Sequence, residues 1–252
     1  MELRPYEYRE DFFVYRHDGD YLGNIQPGSL FRYAQQVANT QCAVMGITDE
    51  TYAKTNTAFL LARQALHISH MPHVDEKLTM ITAPERMRHA VNKRLYTVYD
   101  SNGTELAFID SRWVLVDLDK RTILRTRPPE LDGPWAEESL PRSLPMRLKK
   151  AETTEEAGAC TATYSRCDMN GHLNNSRYVD IVMDALPLEL LQTHAVEDLV
   201  IYYHIEVPLG DSFVLRRGRL EENKWYFAGW RKDACLFEVN LTLRPRAELE
   251  AR

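Results

Sequence analysis

Apolar positions along this chain follow a helical rhythm and then a strand rhythm, and that pairing occurs twice. Across residues 29–45, Leu30, Tyr33, Ala34, Val37 and Cys42 can line one helix face, and Gly46 can end the helix. The stretches 65–69, 78–82, 94–99, 105–109 and 113–118 then carry β-branched and aromatic side chains in alternation with polar ones, which predicts strands with one face on a core. Asp100-Ser101-Asn102-Gly103 has the turn chemistry to join two of them as a hairpin. Later, a strand at 159–164 precedes a helix over 174–186, where Tyr178, Val179, Val182, Met183 and Leu186 share a face and Pro187 can stop it. Strands at 198–206, 212–220, 224–231 and 235–244 follow.

The two runs resemble each other in order. HISHMPHVDEKLTM after the first helix and YYHIEVPLGDSFVL after the second each place a proline and then an acidic residue before a strand. Between the runs, Pro128, Pro129, Pro134, Pro141 and Pro145 oppose both a continuous helix and a central strand. The pattern predicts two related halves, 1–127 and 151–252, joined by a proline-rich linker at 128–150. A length of 252 residues suits one large domain or two ordinary ones, and the repeat favours two.

With 44% hydrophobic and 27% charged residues, the chain can bury a substantial core. A formal charge of -6 argues against a nucleic-acid partner. No apolar run reaches the roughly 20 residues that span a bilayer, and MELRPYEYREDFF lacks the apolar centre of a secretion signal. The expectation is a cytoplasmic protein without membrane insertion. Cys42, Cys160, Cys167 and Cys235 are not spaced as a zinc site or a disulfide framework and read as reduced core or pocket thiols.

The densest polar segment runs from Tyr164 to Tyr178, between a predicted strand and a predicted helix. Gly171 and the asparagines Asn174 and Asn175 can be explained by turn and cap chemistry. Asp168, Asn170 and His172 go further, because their spacing lets a carboxylate, an amide and an imidazole converge where the loop folds back, and an imidazole exchanges protons near neutral pH. Downstream, Glu206 stands near the end of a predicted strand, with His204 on the same face and Ile205 on the other. Glu206 could serve as a general base or simply face solvent. His204 could bond inside a pocket or cover a sheet edge. His67, His70 and His73 raise metal hydrolysis as a separate possibility, but separations of three do not put all of them on one strand face.

DMNGHLNNSRYVDIVMDALP followed by YYHIEVPLGDSF resembles the catalytic half of the acyl-acyl-carrier-protein thioesterase family, of the bacterial type related to the plant fatty acyl thioesterases. ALHISHMPHVDEKLTMITAPERMRH and SNGTELAFIDSRWVLVDLDKRTILR are similar to that family's amino-terminal domain, which extends the resemblance over roughly residues 5–245. It implies an α+β tandem hotdog, each half an antiparallel sheet wrapped around a long helix. It also implies hydrolysis of acyl-carrier-protein thioesters in the later half, with no cofactor and no metal, and with Asp168, Asn170, His172 and Glu206 as the catalytic set. Glu206 would activate water, or attack the acyl carbon itself, while His172 and Asn170 position the reacting groups and Asp168 orients them. Backbone N–H groups near Gly171 could stabilise the developing oxyanion. Plant members often place cysteine directly after the acidic strand residue. Here Val207 stands there, so a Cys-His nucleophile is not implied at that place, and Cys167 is the weaker candidate for that role.

The partner implied is acyl carrier protein bearing an acyl-phosphopantetheine, and a homodimer is left open. Phe59, Leu60, Leu61, Trp113, Val114 and Leu115, with Val37, Cys42 and Met45 on the first helix, are candidate walls for an acyl chain or ordinary core. Arg86, Arg88, Lys93 and Arg94, then Arg142, Arg147, Lys149 and Lys150, then Arg216, Arg217 and Arg219 are candidate surfaces for an acidic carrier. An acyl-CoA thioesterase, a dehydratase or a non-catalytic acyl-binding module would suit the same fold.

Overall fold

A computed structural model of the chain describes residues 2–251. The first half contains β1 (Tyr8–Phe13), α1 (Pro27–Val44), α2 (Asp49–Thr55), β2 (Thr57–Ile68), β3 (Lys77–Pro84), β4 (Val91–Tyr99), β5 (Glu105–Asp117) and the short β6 (Thr122–Ile123). The second contains β7 (Glu155–Thr161), α3 (Arg177–Asp184), α4 (Leu188–Thr193), β8 (His194–Tyr203), β9 (Ser212–Glu221), β10 (Lys224–Arg231), β11 (Ala234–Pro245) and α5 (Arg246–Glu250). No helix among the described residues is long and apolar enough to cross a membrane.

The strands form one antiparallel sheet in the order β1-β3-β4-β5-β2-β8-β11-β10-β9-β7, with β6 beside β5. Read outward from the central β2–β8 pair, the two sides repeat the same order: β5, β4, β3, β1 on one and β11, β10, β9, β7 on the other. Arg63 faces Tyr202 and His67 faces Asp198 across that pair, so the halves share a continuous backbone hydrogen-bond ladder. The repeat seen in the sequence is therefore a repeat in space.

Helix α1 starts with Pro27 at its first position, where a missing N–H costs nothing, and buries Leu30, Phe31, Ala34 and Val37 against the sheet. A Cβ on Gly28 would stand 1.9 Å from Asp180 Oδ1, so glycine here lets α1 and α3 approach. Helix α3 is shorter than the pattern predicts, because Asn174 belongs to the preceding loop. Its Oδ1 accepts from Ser176 N–H at 3.0 Å and from Ser176 Oγ–H at 2.8 Å. Among the described residues, only α1 is a long helix.

Strand β5 replaces two predicted strands. Asp110 and Ser111 break the apolar pattern, yet both are buried. Asp110 Oδ2 accepts from Arg112 Nη2 at 3.0 Å and from Leu144 N–H at 3.1 Å. The proline-rich interval is ordered as well. Leu131 and Trp135 join Ile47 and Leu115 in a small second core, against which Cys42, Met45 and Phe59 pack. Farther on, Lys149 N–H donates to Asn240 Oδ1 at 2.7 Å and Asn240 Nδ2 donates back to Lys149 O at 2.8 Å, strapping the interval across the sheet.

Candidate functional site

After a 3-10 turn at Tyr164–Arg166, the chain makes a tight hairpin in which Asp168 N–H donates to His172 O and Gly171 N–H donates to Asp168 O, both at 3.0 Å. Gly171 has φ +74°, a left-handed conformation that glycine adopts freely. Asp168 Oδ1 accepts Asn170 N–H at 3.0 Å, and Oδ2 accepts from Asn174 Nδ2 at 3.2 Å. The same Asn174 amide reaches Gln35 Oε1 on α1 at 3.2 Å. Asp168 thus ties the loop to itself and, through Asn174, to the helix of the other half.

A second set of bonds zips this loop to the chain after β8. Leu173 N–H donates to Val207 O at 2.8 Å and Leu209 N–H to Gly171 O at 2.9 Å. Those bonds bring His172 Nδ1 to 3.4 Å from Glu206 Oε2, with side-chain exposures of 33% and 57% respectively, so both groups are open to a ligand. Asp168, Asn170, His172 and Glu206 line one cavity. Phe59, Leu60 and Leu61 of β2 form its apolar wall, so both halves build the site. Tyr178 and Tyr203 lie beneath as an edge-to-face pair with centroids 5.4 Å apart, and Tyr203 Oη–H donates to Asn175 O at 3.0 Å. Burial pushes the Tyr203 phenol well above its usual range, which leaves it a neutral donor.

Several other sequence candidates fall elsewhere. Of the backbone N–H groups near Gly171, that of Gly171 itself is already spent on Asp168 O. Trp113, Val114 and Leu115 do not line this cavity, whereas Phe59 both lines it and packs into the second core. The Cys167 thiol is pushed up by burial, the opposite of what a nucleophile needs. His67, His70 and His73 diverge: His67 Nδ1–H donates to Asp198 at 2.7 Å, His70 Nδ1–H to Ala251 O at 2.9 Å, and His73 N–H to Glu76 at 2.9 Å. Lys93 and Arg94 are buried, Lys93 against Glu85 at 3.0 Å, and cannot meet a carrier. Arg86, Arg142, Lys149, Lys150 and Arg217 each face a carboxylate of this chain. His204 does line the cavity, and its partner Glu238 carries no sequence signal of its own because it sits mid-strand among apolar residues.

The first half holds a degenerate copy of the loop. Asp20 N–H donates to Asn24 O, Gly23 N–H to Asp20 O, and Ile25 N–H to Pro72 O, repeating the bonds made by Asp168, Gly171 and Leu173. By that register Asp20 matches Asp168, but Leu22, Asn24 and Met71 stand where the other half has Asn170, His172 and Glu206. Helix α5 occupies this copy. Arg246 Nη2 donates to Asp20 at 2.8 Å, Asn24 Nδ2 to Glu250 at 3.4 Å, and Met71 N–H to Leu249 O at 2.8 Å.

Two family models match the halves separately. A family model described as "Acyl-ACP thioesterase N-terminal domain" matches residues 5–131, and one described as "Acyl-ACP thioesterase C-terminal domain" matches residues 149–230. A chloroplastic palmitoyl-acyl carrier protein thioesterase of Cuphea hookeriana is 20% identical over 216 residues, 79% of this chain and 51% of that protein. The chain spans between about half and three-fifths of the length of the curated relatives it matches. The crystal structure of an acyl-ACP thioesterase from Bacteroides thetaiotaomicron superposes with a TM-score of 0.85 at 23% identity, covering 94% of this chain and 98% of that one. The 12:0-ACP thioesterase from Umbellularia californica gives 0.79 at 16% identity, covering 97% and 100%. The fold is the tandem hotdog.

Proposed function

The chain belongs to the acyl-ACP thioesterase family, and from that premise we propose that the cavity hydrolyses the thioester of fatty acyl-acyl carrier protein to release a free fatty acid. The observation that carries this reading is the convergence of Asp168, Asn170, His172 and Glu206 around one opening with an apolar wall from β2. Water in that opening gives a proton to Glu206 as its oxygen attacks the thioester carbonyl carbon; the C–S bond then breaks as Glu206 returns that proton to the sulfur, releasing the pantetheine thiol and the fatty acid. His172, beside Glu206, orients the carboxylate and the water. The Asn170 amide, which lines the same opening, donates to the carbonyl oxygen as charge develops on it. Asp168 holds Asn170 through its carboxylate and His172 through its main chain, rather than touching substrate.

In this reading the second half, 151–252, carries the reacting groups. The first half, 1–127, supplies the acyl wall through Phe59, Leu60 and Leu61, and the 128–150 interval bonds to the first half at Leu140 and to the second at Lys149. The degenerate loop at Asp20 supports a division in which one half reacts and the other binds and braces. Thiol release from matched acyl-carrier-protein and coenzyme A thioesters of medium and long chains tests the reading. Faster saturable release from the carrier-protein series is expected. Release from coenzyme A esters alone would make the chain an acyl-CoA thioesterase, and release from neither would leave an acyl-binding module.

A further inference from the structure

Because the chain contains both a complete and a degenerate site, its own first half serves as a control for the second. Leu236 O accepts from both His204 N–H at 2.9 Å and Ile205 N–H at 3.1 Å. Leu106 O accepts from both Ser69 N–H at 2.9 Å and His70 N–H at 3.1 Å. The same irregularity thus ends β8 and β2, and it sets the register between the halves. Ser69 stands for His204, Met71 for Glu206, and Phe108, two residues past Leu106, stands for Glu238. Where the complete site has Glu206, it also has a histidine and a carboxylate. Where the degenerate site has lost Glu206, both of those are absent.

Those two extra groups are bonded to each other. Glu238 is 6% exposed, and its Oε2 accepts from His204 Nε2–H at 2.9 Å. Its Oε1 accepts from Tyr226 Oη–H at 2.7 Å and faces Lys150 Nζ at 3.1 Å. At the matching place in the first half, Arg142 stacks over the Phe108 ring at 3.7 Å. A buried carboxylate is costly unless bonded, and one with three donors fixes whatever it holds. Cys235 also lies within 4.8 Å of this pair, but burial pushes its thiol up to about 11, and Lys150 already offsets the Glu238 charge, so hydrogen bonding accounts for the cluster.

We propose that His204 and Glu238 form a positioning dyad for Glu206: buried Glu238 anchors the His204 ring in the cavity wall, and the anchored ring holds the irregular strand end that aims Glu206 at His172. The dyad rests on the thioesterase reading of the same site. It acts through Glu206 and not on the substrate, so its loss should lower turnover more than it weakens binding.

The test compares His204→Ala, His204→Gln and His204→Asn in the full chain, with thiol release from acyl-carrier-protein thioesters and thermal melting measured together. Glutamine can present an N–H near the position of Nε2, whereas asparagine is too short to reach Glu238. His204→Ala and His204→Asn are expected to lower kcat by about tenfold or more with KM within about threefold, and His204→Gln to recover most of the loss. Should the alanine variant fail to fold, the glutamine and asparagine pair decides. Unchanged kcat in His204→Asn, a rise in KM alone, or no recovery in His204→Gln would each overturn the dyad while leaving the thioesterase reading intact. A wild-type chain that releases no thiol overturns the site and the dyad together.

Discussion

His172 Nδ1 stands 3.4 Å from Glu206 Oε2, although one side chain belongs to a loop hairpin and the other to a strand end. Two backbone bonds, Leu173 to Val207 and Leu209 to Gly171, join the two segments, so the approach of the pair does not rest on its own attraction alone. Replacing Glu206 by glutamine keeps the shape and removes the base. Because Glu206 is more than half exposed, the substitution should leave folding within about 0.5 kcal/mol of wild type. Turnover should fall by about 100-fold to 10,000-fold, the range for losing a general base, with KM little changed. A folded Glu206→Gln variant with wild-type kcat would remove Glu206 from the chemistry.

Cys167 lies beside Asp168 at the edge of the same loop, and a thiol there invites the idea of a nucleophile. Its environment opposes it: burial, then the Asp168 charge, raises the thiol above its ordinary range, so the neutral form dominates near neutral pH. Cys167→Ser should therefore retain kcat within about threefold. Pre-treatment with iodoacetamide at neutral pH, at concentrations that modify free cysteine and with excess reagent removed before substrate is added, should leave thiol release unaffected. Loss of turnover that tracks alkylation of Cys167 would reverse this assignment.

The loop was legible in the sequence because its chemistry is local: Asp168, Asn170, Gly171 and His172 lie within five residues, and one glycine with φ +74° closes the turn. Glu206 was legible as a charged residue at the end of an apolar strand. Glu238 was not, because its meaning depends on Tyr226 and Lys150, which approach it from other segments. Strand β1 was missed for a related reason: Arg9, Glu10 and Asp11 hide its pattern, yet the strand pairs with β3 along all of its length. Helix α5 is five residues long, too short to show a period, and its role appears only when Leu249 is seen beside the degenerate loop.

Leu249 is fully buried, and α5 fills the space over Asp20, Asn24 and Met71. If α5 is a plug for the degenerate site, its main apolar contact should carry stability and not catalysis. Leu249→Ala should cost about 2–5 kcal/mol, as for other buried leucines, read as a lower denaturant midpoint with an unchanged slope. The kcat of the folded fraction should stay within about twofold of wild type. A selective loss of turnover with unchanged stability would instead tie α5 to the reacting site.

The central β2–β8 pair carries a titratable contact between the halves. His67 Nδ1–H donates to Asp198 Oδ1 at 2.7 Å, and that bond, followed by other local charges, raises the imidazole above its ordinary range despite the opposing effect of burial. A group whose folded pKa lies above its unfolded value holds its proton more tightly in the folded state. Its stabilisation is therefore complete below the unfolded value of about 6.5 and fades as the pH rises through the folded pKa. With side-chain exposures of 32% and 49%, solvent screens the pair, which limits it to about 1 kcal/mol or less. Wild type should thus exceed Asp198→Asn in stability near pH 5.5, and the gap should narrow above neutrality, as measured by urea unfolding at a series of pH values. A gap that widens with rising pH would mean that the folded protein disfavours the charged imidazole.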